Sequence, residues 1–394
     1  MSSIAANASL PSQENIRVMV VDDSVVIRGL VSRWLGEEDG IEIAAKHSNG
    51  LKAVNDIVNC DPDVVILDIE MPEMDGMTAL EKMMKLKPEL IVIMASTLTR
   101  RNAEISLKAL QLGASDYIPK PEGNRGVTTS QDFRREIVDK VRALGAQVLR
   151  KRNRVSAPKP APAPTPVPSP TSAPAPSSAK PAVEPAVVSD SSSALELRPI
   201  SAGIPRLLAI GSSTGGPQAL AKVMEKIAPK IDRVPVVITQ HMPPTFTAIL
   251  AEHLGRTTGK VTKEAEDGEE ILPNHIYVAP GAKHLILEER DGSVFAKLTD
   301  DPPVNFCKPA VDPMFKSIVE VYKSAVLGVI LTGMGHDGRE GARAIVNAGG
   351  NIIAQDEDTS VVWGMPGAVA EAGLCSAVLP IDEIGGKIIQ VLGR

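Results

Sequence analysis

The sequence is poor in the features that mark several common classes of protein. Aromatic residues make up 3% of the 394 residues and the net charge is −6, which argues against stacking platforms and basic surfaces for nucleic acid. The three cysteines, Cys60, Cys307 and Cys375, lie far apart in the sequence, so they match neither a disulfide framework nor a zinc motif. No apolar run has the length of a membrane span, and residues 1–15 lack the basic and apolar regions of a signal peptide. These absences predict a cytoplasmic protein that binds no nucleic acid and does not insert into a membrane.

Proline, alanine and serine dominate one internal segment. From Ser156 to Pro185 they alternate in runs such as Ala-Pro-Lys-Pro-Ala-Pro-Ala-Pro. A segment of this kind adopts extended, solvated polyproline geometry and buries no core. We therefore predict one domain at residues 16–150, a flexible linker at 151–204 and a second domain at 205–394.

The first domain alternates strand and helix patterns. The predicted strands are Arg17–Val21, Ile41–Ala45, Val64–Leu67, Leu90–Met94 and Asp116–Pro119. The predicted helices are Val25–Leu35, Gly50–Asn59, Thr78–Leu86, Ile105–Leu112 and Ser130–Leu149. This alternation predicts an α/β fold with a doubly wound, parallel, five-stranded sheet, whose ligands gather at the carboxyl ends of the strands.

The second domain also alternates, with one interruption. Its predicted strands are Leu207–Ile210, Val236–Thr239, Ile276–Ala279, Ala325–Leu331 and Asn351–Ala354, and its clearest helices are Gln218–Ala228 and Glu340–Ala348. Between them, Leu285–Leu287 and Phe295–Leu298 form a polar hairpin pattern that turns at Asp291-Gly292. We predict a second doubly wound, mostly parallel α/β sheet that carries an antiparallel hairpin.

Acidic side chains follow two strands of the first domain. Asp22 and Asp23 come after the first strand and Asp68 after the third, and the predicted topology brings them together. Clustered carboxylates repel one another and suit a hard divalent cation, beside which a carboxylate can act as a nucleophile towards phosphorus. Ser96 and Lys120 end two further strands and could bind phosphoryl oxygens. Helix capping by Asp22 and Asp23 is the simpler alternative, but five such residues at matching strand ends favour a phosphoryl site.

The motifs around these residues resemble a known family. They are Val20-Val21-Asp22-Asp23-Ser24, Leu67-Asp68-Ile69-Glu70-Met71-Pro72 with Asp75-Gly76, and Lys120-Pro121. Together they resemble the receiver domains of response regulators over residues 16–150. The resemblance implies phosphorylation of Asp68 by a histidine kinase with the help of Mg²⁺. It implies Mg²⁺ ligands at Asp22, Asp23, Asp68 and the backbone carbonyl of Glu70, and switch residues at Ser96, Tyr117 and Lys120.

In the second domain an apolar strand breaks into small residues before a helix. The run ends in Gly211-Ser212-Ser213-Thr214-Gly215-Gly216-Pro217, which delivers two hydroxyls and free N–H groups to one point. The turn suits a nucleophile or an anion site, and by itself it decides neither that question nor which serine acts. A nucleotide site lacks support, because neither Gly-Lys-Ser/Thr nor Gly-x-Gly-x-x-Gly occurs there.

A nucleophilic serine needs a base and a carboxylate that orients the base. His241 directly follows a strand, whereas His284 lies in a loop pattern and His253 in a helical pattern expected at the surface. Asp337 follows another strand in a Gly-rich turn, beside His336 as a rival base. Ser, His and Asp thus occur in an order unlike that of α/β-hydrolases, and the Gly-x-Ser-x-Gly elbow is absent. Backbone N–H groups in the Gly-rich turns could form an oxyanion hole.

The whole arrangement of residues 205–394 resembles the catalytic domain of the chemotaxis protein-glutamate methylesterases. The motifs are Ile210-Gly211-Ser212-Ser213-Thr214-Gly215-Gly216, Gln240-His241-Met242-Pro243, Tyr277-Val278-Ala279-Pro280-Gly281, Pro309-Ala310-Val311-Asp312 and Leu331-Thr332-Gly333-Met334-Gly335-His336-Asp337-Gly338. The resemblance implies a catalytic triad of Ser213, His241 and Asp337. It places an oxyanion donor at the backbone of Met334, and we add the backbone of Thr214 as a second candidate.

This resemblance also implies a function. The expected reaction is hydrolysis of glutamate methyl esters on chemoreceptors, with release of methanol and without a cofactor. The resemblance also implies deamidation of receptor glutamines by the same chemistry. The receiver is expected to cover the active site until Asp68 is phosphorylated. Two other classes of function are a regulatory binding protein with an inactive second module and a regulator with a DNA-binding output. The complete set Ser213, His241 and Asp337 argues against the first, and a pI near 5.7 without a basic recognition helix argues against the second.

Overall fold

The computed structural model describes residues 15–121, 131–156 and 195–393. Its N-terminal domain contains ten helices and strands that alternate along the described chain. The strands are β1 (Ile16–Val21), β2 (Ile41–His47), β3 (Val64–Asp68), β4 (Ile91–Thr97) and β5 (Asp116–Lys120). The helices are α1 (Val25–Gly36), α2 (Gly50–Cys60), α3 (Gly76–Leu86), α4 (Arg100–Gln111) and α5 (Gln131–Ser156).

The strands of this domain form one parallel sheet in the order β2-β1-β3-β4-β5. Helices cover both faces, which is why β3 is buried along its whole length. Side chains of Ser24, Asn49, Asp75 and Thr99 accept hydrogen bonds from backbone N–H groups and so cap the first four helices. The order reverses between β1 and β3, so the residues that follow these two strands share one crevice.

The C-terminal domain contains nine described strands and six α-helices. The strands are β6 (Leu207–Ser212), β7 (Val236–Gln240), β8 (Val261–Glu264), β9 (His275–Val278), β10 (His284–Arg290), β11 (Ser293–Thr299), β12 (Val326–Ile330), β13 (Asn351–Gln355) and β14 (Ala377–Leu379). The helices are α6 (Gly216–Ile227), α7 (Phe246–Thr258), α8 (Val311–Tyr322), α9 (Arg339–Asn347), α10 (Met365–Glu371) and α11 (Ile381–Leu392). Seven strands form a parallel sheet in the order β14-β13-β12-β6-β7-β9-β8, and β10 pairs with β11 as an antiparallel hairpin.

The predicted fold class is confirmed for both domains. The hairpin turns at Asp291-Gly292 as expected, with both residues at positive φ. The sequence patterns missed β8, β14, α10 and α11. Strands β8 and β14 are the two edges of the sheet and have four and three residues, so neither carries the long apolar run of a central strand.

The segment between the domains is only partly described. The predicted linker bounds stay a prediction, because residues 157–194 lie outside the described residues. Helix α5 continues to Ser156, beyond the predicted first domain. At the other end, the backbone N–H of Ser201 donates to Asn351 Oδ1 at 2.9 Å, so the chain already contacts the C-terminal domain ahead of β6.

The two domains pack through α4 and β5 on one side and α6 and α7 on the other. Tyr117 stacks on Phe246 with ring centroids 4.6 Å apart and planes 9° apart. Arg100 forms an ion pair with Glu252 at 2.7 Å. His253, expected at the surface, is instead half-buried and lies 3.0 Å from Gln111 Nε2 of the N-terminal domain. Within the ranges described, none of the helices has both the length and the apolar character needed to span a bilayer.

Candidate active site and phosphorylation site

Three neighbouring strands bring the predicted catalytic residues together. In the seven-stranded sheet β6 lies between β12 and β7, and the chain leaves β6 first towards β7 and later returns to β12 on its other side. This is a topological switch point, where the loops after adjacent strands diverge and leave a crevice. Ser213 follows β6, His241 follows β7 and Asp337 lies in the loop after β12.

The loop after β6 distinguishes its two serines. Ser212 is fully buried, and its hydroxyl donates to Gln240 Oε1 at 2.6 Å. Ser213 is half-buried and lines a cleft, while its backbone N–H donates to Thr332 O at 3.0 Å. Gly215 has a φ of +75° at the N-terminus of α6, a conformation that favours glycine. The geometry therefore turns one hydroxyl into the sheet and presents the other to the cleft.

Asp337 is held as a carboxylate and bonds the predicted base. Its Oδ2 lies 2.8 Å from His241 Nε2 and accepts the backbone N–H of Val311 at 2.6 Å. Its Oδ1 accepts the N–H of Asp312 at 3.1 Å and Asn305 Nδ2 at 3.2 Å. Burial alone would raise the pKa of Asp337, but the bonds from His241 and from the N-terminus of α8 lower it overall. An ionised Asp337 suits the role of orienting an imidazole.

The other ring nitrogen of His241 faces a residue that the sequence analysis did not connect with the site. Cys307 Sγ lies 3.3 Å from His241 Nδ1. Burial lowers the pKa of His241, but the charges and hydrogen bonds of Cys307 and Asp337 outweigh it and raise the pKa to about 10. Ser213 and His241, both of them described residues, share no side-chain hydrogen bond.

No spacing in the sequence could have revealed the contact between Cys307 and His241, because Cys307 lies on an irregular loop 66 residues from His241.

Of the two rival bases, His336 lines the same cleft as Ser213, whereas His284 does not line it. His284 is buried at the start of β10, where its Nδ1 accepts the backbone N–H of Ala310 at 3.2 Å and its Nε2 lies 3.2 Å from Pro302 O. His336 is exposed, whereas the adjacent Asp337 is buried. The expected loop position of His284 was therefore wrong, since the hairpin pattern begins earlier than predicted.

Two backbone N–H groups are available for an oxyanion. Those of Thr214 and Met334 make no hydrogen bond to any described residue, and both residues line the cleft beside Ser213. The loops that carry them approach closely, because a Cβ on Gly333 would lie 2.9 Å from Ser213 Cβ. Preorganised donors of this kind stabilise a tetrahedral intermediate.

The cleft has a volume of about 1040 Å³ and lies between the two domains. One wall is formed by the catalytic loops and the other by β5 and α5 of the N-terminal domain, including Tyr117 and Lys140. Asp116 of that domain accepts a hydrogen bond from Thr214 Oγ1 at 2.9 Å, next to Ser213 in the chain. The N-terminal domain therefore contacts the loop of the predicted nucleophile directly.

The carboxylates of the N-terminal domain form a second site. Carboxylate oxygens of Asp22, Asp23 and Asp68 lie within 4.8 Å of one another. Lys120 Nζ lies 2.7 Å from Asp22 Oδ2 and 2.7 Å from Asp68 Oδ1. Burial raises the pKa of Asp68 to about 6, although the charge of Lys120 opposes the shift. Glu70 follows in the next loop with an exposed side chain. Oxygen donors in such a cluster fit a hard cation such as Mg²⁺.

The remaining two predicted switch residues are both buried. Ser96 is buried, and its hydroxyl lies 3.1 Å from Ser106 Oγ of α4. Tyr117 is buried at the domain interface against Phe246. Burial raises the pKa of Tyr117 well above its ordinary value, so its ring packs there as a neutral group.

Comparison with known proteins gives consistent matches along the chain. A family described as CheB methylesterase matches residues 208–388, and the response regulator receiver domain family matches residues 18–130. A protein-glutamate methylesterase/protein-glutamine glutaminase of group 2 operon from Bradyrhizobium diazoefficiens is 54% identical over 95% of this chain and 93% of its own length. A protein-glutamate methylesterase/protein-glutamine glutaminase from Nitrobacter hamburgensis is 52% identical over 99% of this chain and 98% of its own. The crystal structure of the Thermotoga maritima CheB methylesterase catalytic domain is 45% identical, covers 48% of this chain and 98% of its own, and has a TM-score of 0.46.

Proposed function

Because the chain belongs to the family of receiver-linked protein-glutamate methylesterases, we propose that it hydrolyses glutamate methyl esters on chemoreceptors and deamidates receptor glutamines. The observation that carries this proposal is the meeting of Ser213 with the His241–Asp337 pair at adjacent strand ends of one cleft. Receiver domains of this kind undergo Mg²⁺-dependent phosphorylation by a kinase. We further propose that the protein acts in the cytoplasm.

In the proposed reaction, Ser213 Oγ attacks the ester carbonyl carbon and His241 takes the hydroxyl proton. The accepting nitrogen is Nδ1, because Nε2 is bonded to Asp337, which stabilises the imidazolium that forms. The carbonyl oxygen becomes an oxyanion that the N–H groups of Thr214 and Met334 bind. His241 then returns the proton to the leaving methoxide.

Methanol leaves and an acyl-enzyme remains on Ser213. Water attacks this ester with His241 again as the base, which frees a glutamate carboxylate and restores the serine. With a glutamine substrate the same steps release ammonia in place of methanol. We expect no cofactor in either reaction, since the base, the nucleophile and the oxyanion donors all come from the chain.

Regulation is assigned to the carboxylate site. A carboxylate oxygen of Asp68 takes the phosphoryl group, and Lys120 binds a phosphoryl oxygen. Mg²⁺, which Asp22, Asp23, Asp68 and the Glu70 carbonyl would hold, supplies positive charge against the transferred group. Ser96 and Tyr117 are proposed as the switch residues that respond.

The closed cleft supports a role of the receiver as a cover. One wall of the cleft that contains Ser213 is formed by the receiver residues Asp116, Tyr117 and Lys140. A receptor helix that must bring a glutamyl ester to Ser213 would meet this wall. Phosphorylation of Asp68 is therefore proposed to weaken the contact between the domains and to open the cleft.

Methanol release from methylated receptor membranes tests the reaction. The variant Ser213→Ala should abolish release, whereas the matched variant Ser293→Ala on the hairpin should leave it unchanged. Release that persists at the wild-type rate in Ser213→Ala would exclude the serine mechanism.

Acetyl phosphate with Mg²⁺ tests the regulation separately. It should raise methanol release by the wild-type chain and have no effect on Asp68→Ala. An equal response of both chains would remove Asp68 as the regulatory phosphoacceptor and leave the esterase mechanism intact.

A further inference from the structure

A tight turn at residues 304–307 packs against the predicted base and its carboxylate. Val304 and Cys307 exchange two backbone hydrogen bonds, at 3.1 and 2.9 Å. The two residues between them, Asn305 and Phe306, have φ values of 51° and 64°. Two consecutive positive φ values are typical of a type I′ turn, for which Asn305 is a suitable residue, whereas a positive φ is costly for Phe306. The 304–307 turn is thus a defined structure and not a loose loop.

Two side chains of the 304–307 turn contact the two partners of the predicted triad. Asn305 Nδ2 donates to Asp337 Oδ1 at 3.2 Å, and Cys307 Sγ lies 3.3 Å from His241 Nδ1. Asn305 also donates to Asp312 Oδ2 at 3.3 Å, which anchors the turn to the start of α8. The turn therefore fixes the carboxylate at one end and meets the imidazole at the other.

The position of the thiol matters because of which nitrogen it meets. His241 Nε2 is bonded to Asp337, so Nδ1 is the nitrogen that remains for the proton of Ser213. A neutral imidazole offers one lone pair at that nitrogen. The thiol of Cys307 and the hydroxyl of Ser213 cannot both donate to it.

We propose that Cys307 is a positioning residue that occupies His241 Nδ1 and so limits how often Ser213 is activated. The proposal rests on the esterase mechanism above, with His241 as the base. When Cys307 gives up the contact, Nδ1 becomes free for the hydroxyl of Ser213 and the triad is complete.

The competition concerns the neutral ring, which is the only form of His241 that can act as a base. In that form the S–H group donates to Nδ1, and the lone pair there is not available to the hydroxyl of Ser213.

The receiver also contacts the turn. Phe306 is 81% exposed, and the guanidinium carbon of Arg135 in α5 lies 4.5 Å from the centre of its ring. Such a cation–π contact stabilises the turn in the closed protein. Cys307 follows Phe306 directly, so the closed arrangement supports the contact between the thiol and His241.

The test uses the full-length, unphosphorylated chain and three variants. Cys307→Ala removes the donor and should raise kcat for methanol release about threefold to tenfold, the range expected for one hydrogen bond, with an unchanged KM. Cys307→Ser keeps a donor and should remain near the wild-type rate. Cys60→Ala on α2, remote from the cleft, is the matched control and should not differ from wild type.

Two rate results would overturn the proposal. A kcat of Cys307→Ala at or below the wild-type value would show that the thiol does not withhold the base. A rise of Cys307→Ser equal to that of Cys307→Ala would show that side-chain shape, and not the donor, sets the rate. Either outcome in a wild-type chain that releases methanol leaves the esterase function itself standing, because that function fails only if the wild-type chain releases no methanol.

A second readout does not depend on turnover. The ring-nitrogen NMR signals of His241 should change in Cys307→Ala and stay at the wild-type position in Cys60→Ala. Unchanged signals in Cys307→Ala would refute the contact with Nδ1 even if that variant had lost activity through misfolding of the turn.

Discussion

The hydrogen bond between Thr214 and Asp116 gives a sharp test of how the receiver restrains the active site. Thr214 Oγ1 donates to Asp116 Oδ2 at 2.9 Å, and both side chains are buried. The variant Thr214→Val keeps the shape of the side chain and removes the donor. It also keeps the backbone N–H of residue 214, which we assign to the oxyanion site.

The expected magnitude follows from the partners of Asp116. A hydrogen bond to a charged group is worth about 1.5–3 kcal/mol. In Thr214→Val, Asp116 would still contact Lys140 Nζ, at 3.0 Å, and the backbone N–H of Tyr117, at 2.9 Å, within its own domain. Because its charge stays partnered, the lower end of that range applies. A loss of about 1.5 kcal/mol from the closed form shifts the equilibrium towards the open form about tenfold.

The assay compares methanol release without a phosphodonor and with acetyl phosphate and Mg²⁺. The basal rate of Thr214→Val should rise by up to about tenfold, because that rate follows the fraction of open protein. The activated rate should stay near wild type, because the contact is already absent from the open form. Thr257→Val is the matched control, since its hydroxyl bonds His253 O within α7.

Two results would refute this reasoning. Basal and activated rates that fall together in Thr214→Val would assign the hydroxyl to the chemistry or to the fold of the loop. A basal rate equal to that of Thr257→Val would mean that the contact with Asp116 contributes nothing to closure.

Three further predictions concern charge, pH and packing. Because the base must be neutral and the pKa of His241 is raised to about 10, kcat/KM should increase as the pH rises from 7 towards that value; a profile that is flat over this range would contradict it. Charge reversal at Arg100 or at Glu252 should raise basal methanol release less than Thr214→Val does, because this ion pair is exposed to solvent. The double reversal should restore the wild-type rate. The rise in either single variant should become smaller with added salt. The variant Gly333→Ala should lower kcat by about 100-fold through displacement of the nucleophile, while Gly203→Ala, with no atom near its Cβ position, should not; equal activity of the two variants would show that the approach at Gly333 is not critical.

The sequence was sufficient to predict the location of those site residues that the regular strands hold in place. Ser213, His241 and Asp22 each directly follow a buried, largely apolar strand. In a parallel sheet the carboxyl ends of neighbouring strands lie at one edge, so strand patterns were enough to predict that these groups face common crevices. The choice between Ser212 and Ser213 rested on resemblance, and the structure adds a physical reason, since the hydroxyl of Ser212 is buried against Gln240.

Contacts made by irregular loops and across the domain interface were beyond such patterns. Cys307 reaches His241 from a turn with two positive φ values, of which Asn305 favours one but Phe306 does not predict the other. The bond from Thr214 to Asp116 joins a loop of the C-terminal domain to strand β5 of the N-terminal domain, 98 residues away, and depends on docking that no periodicity encodes. Strand β8, with the sequence Val-Thr-Lys-Glu, forms an edge of the sheet and lacks the apolar signal of a buried strand.

One short strand, β5, carries contacts to both sites, and this has a consequence for phosphorylation itself. Lys120 at its carboxyl end bonds Asp68, while Asp116 at its amino end bonds Thr214. If occupation of the Asp68 site opens the domain interface, then the closed interface must weaken binding at that site by the same factor, because coupling between two binding equilibria is reciprocal. Thr214→Val should therefore bind the phosphoryl mimic beryllofluoride, with Mg²⁺, up to about tenfold more tightly than Thr257→Val does. Equal affinities, measured by titration of the full-length chains, would show that the contact at Thr214 and the phosphorylation site are not coupled.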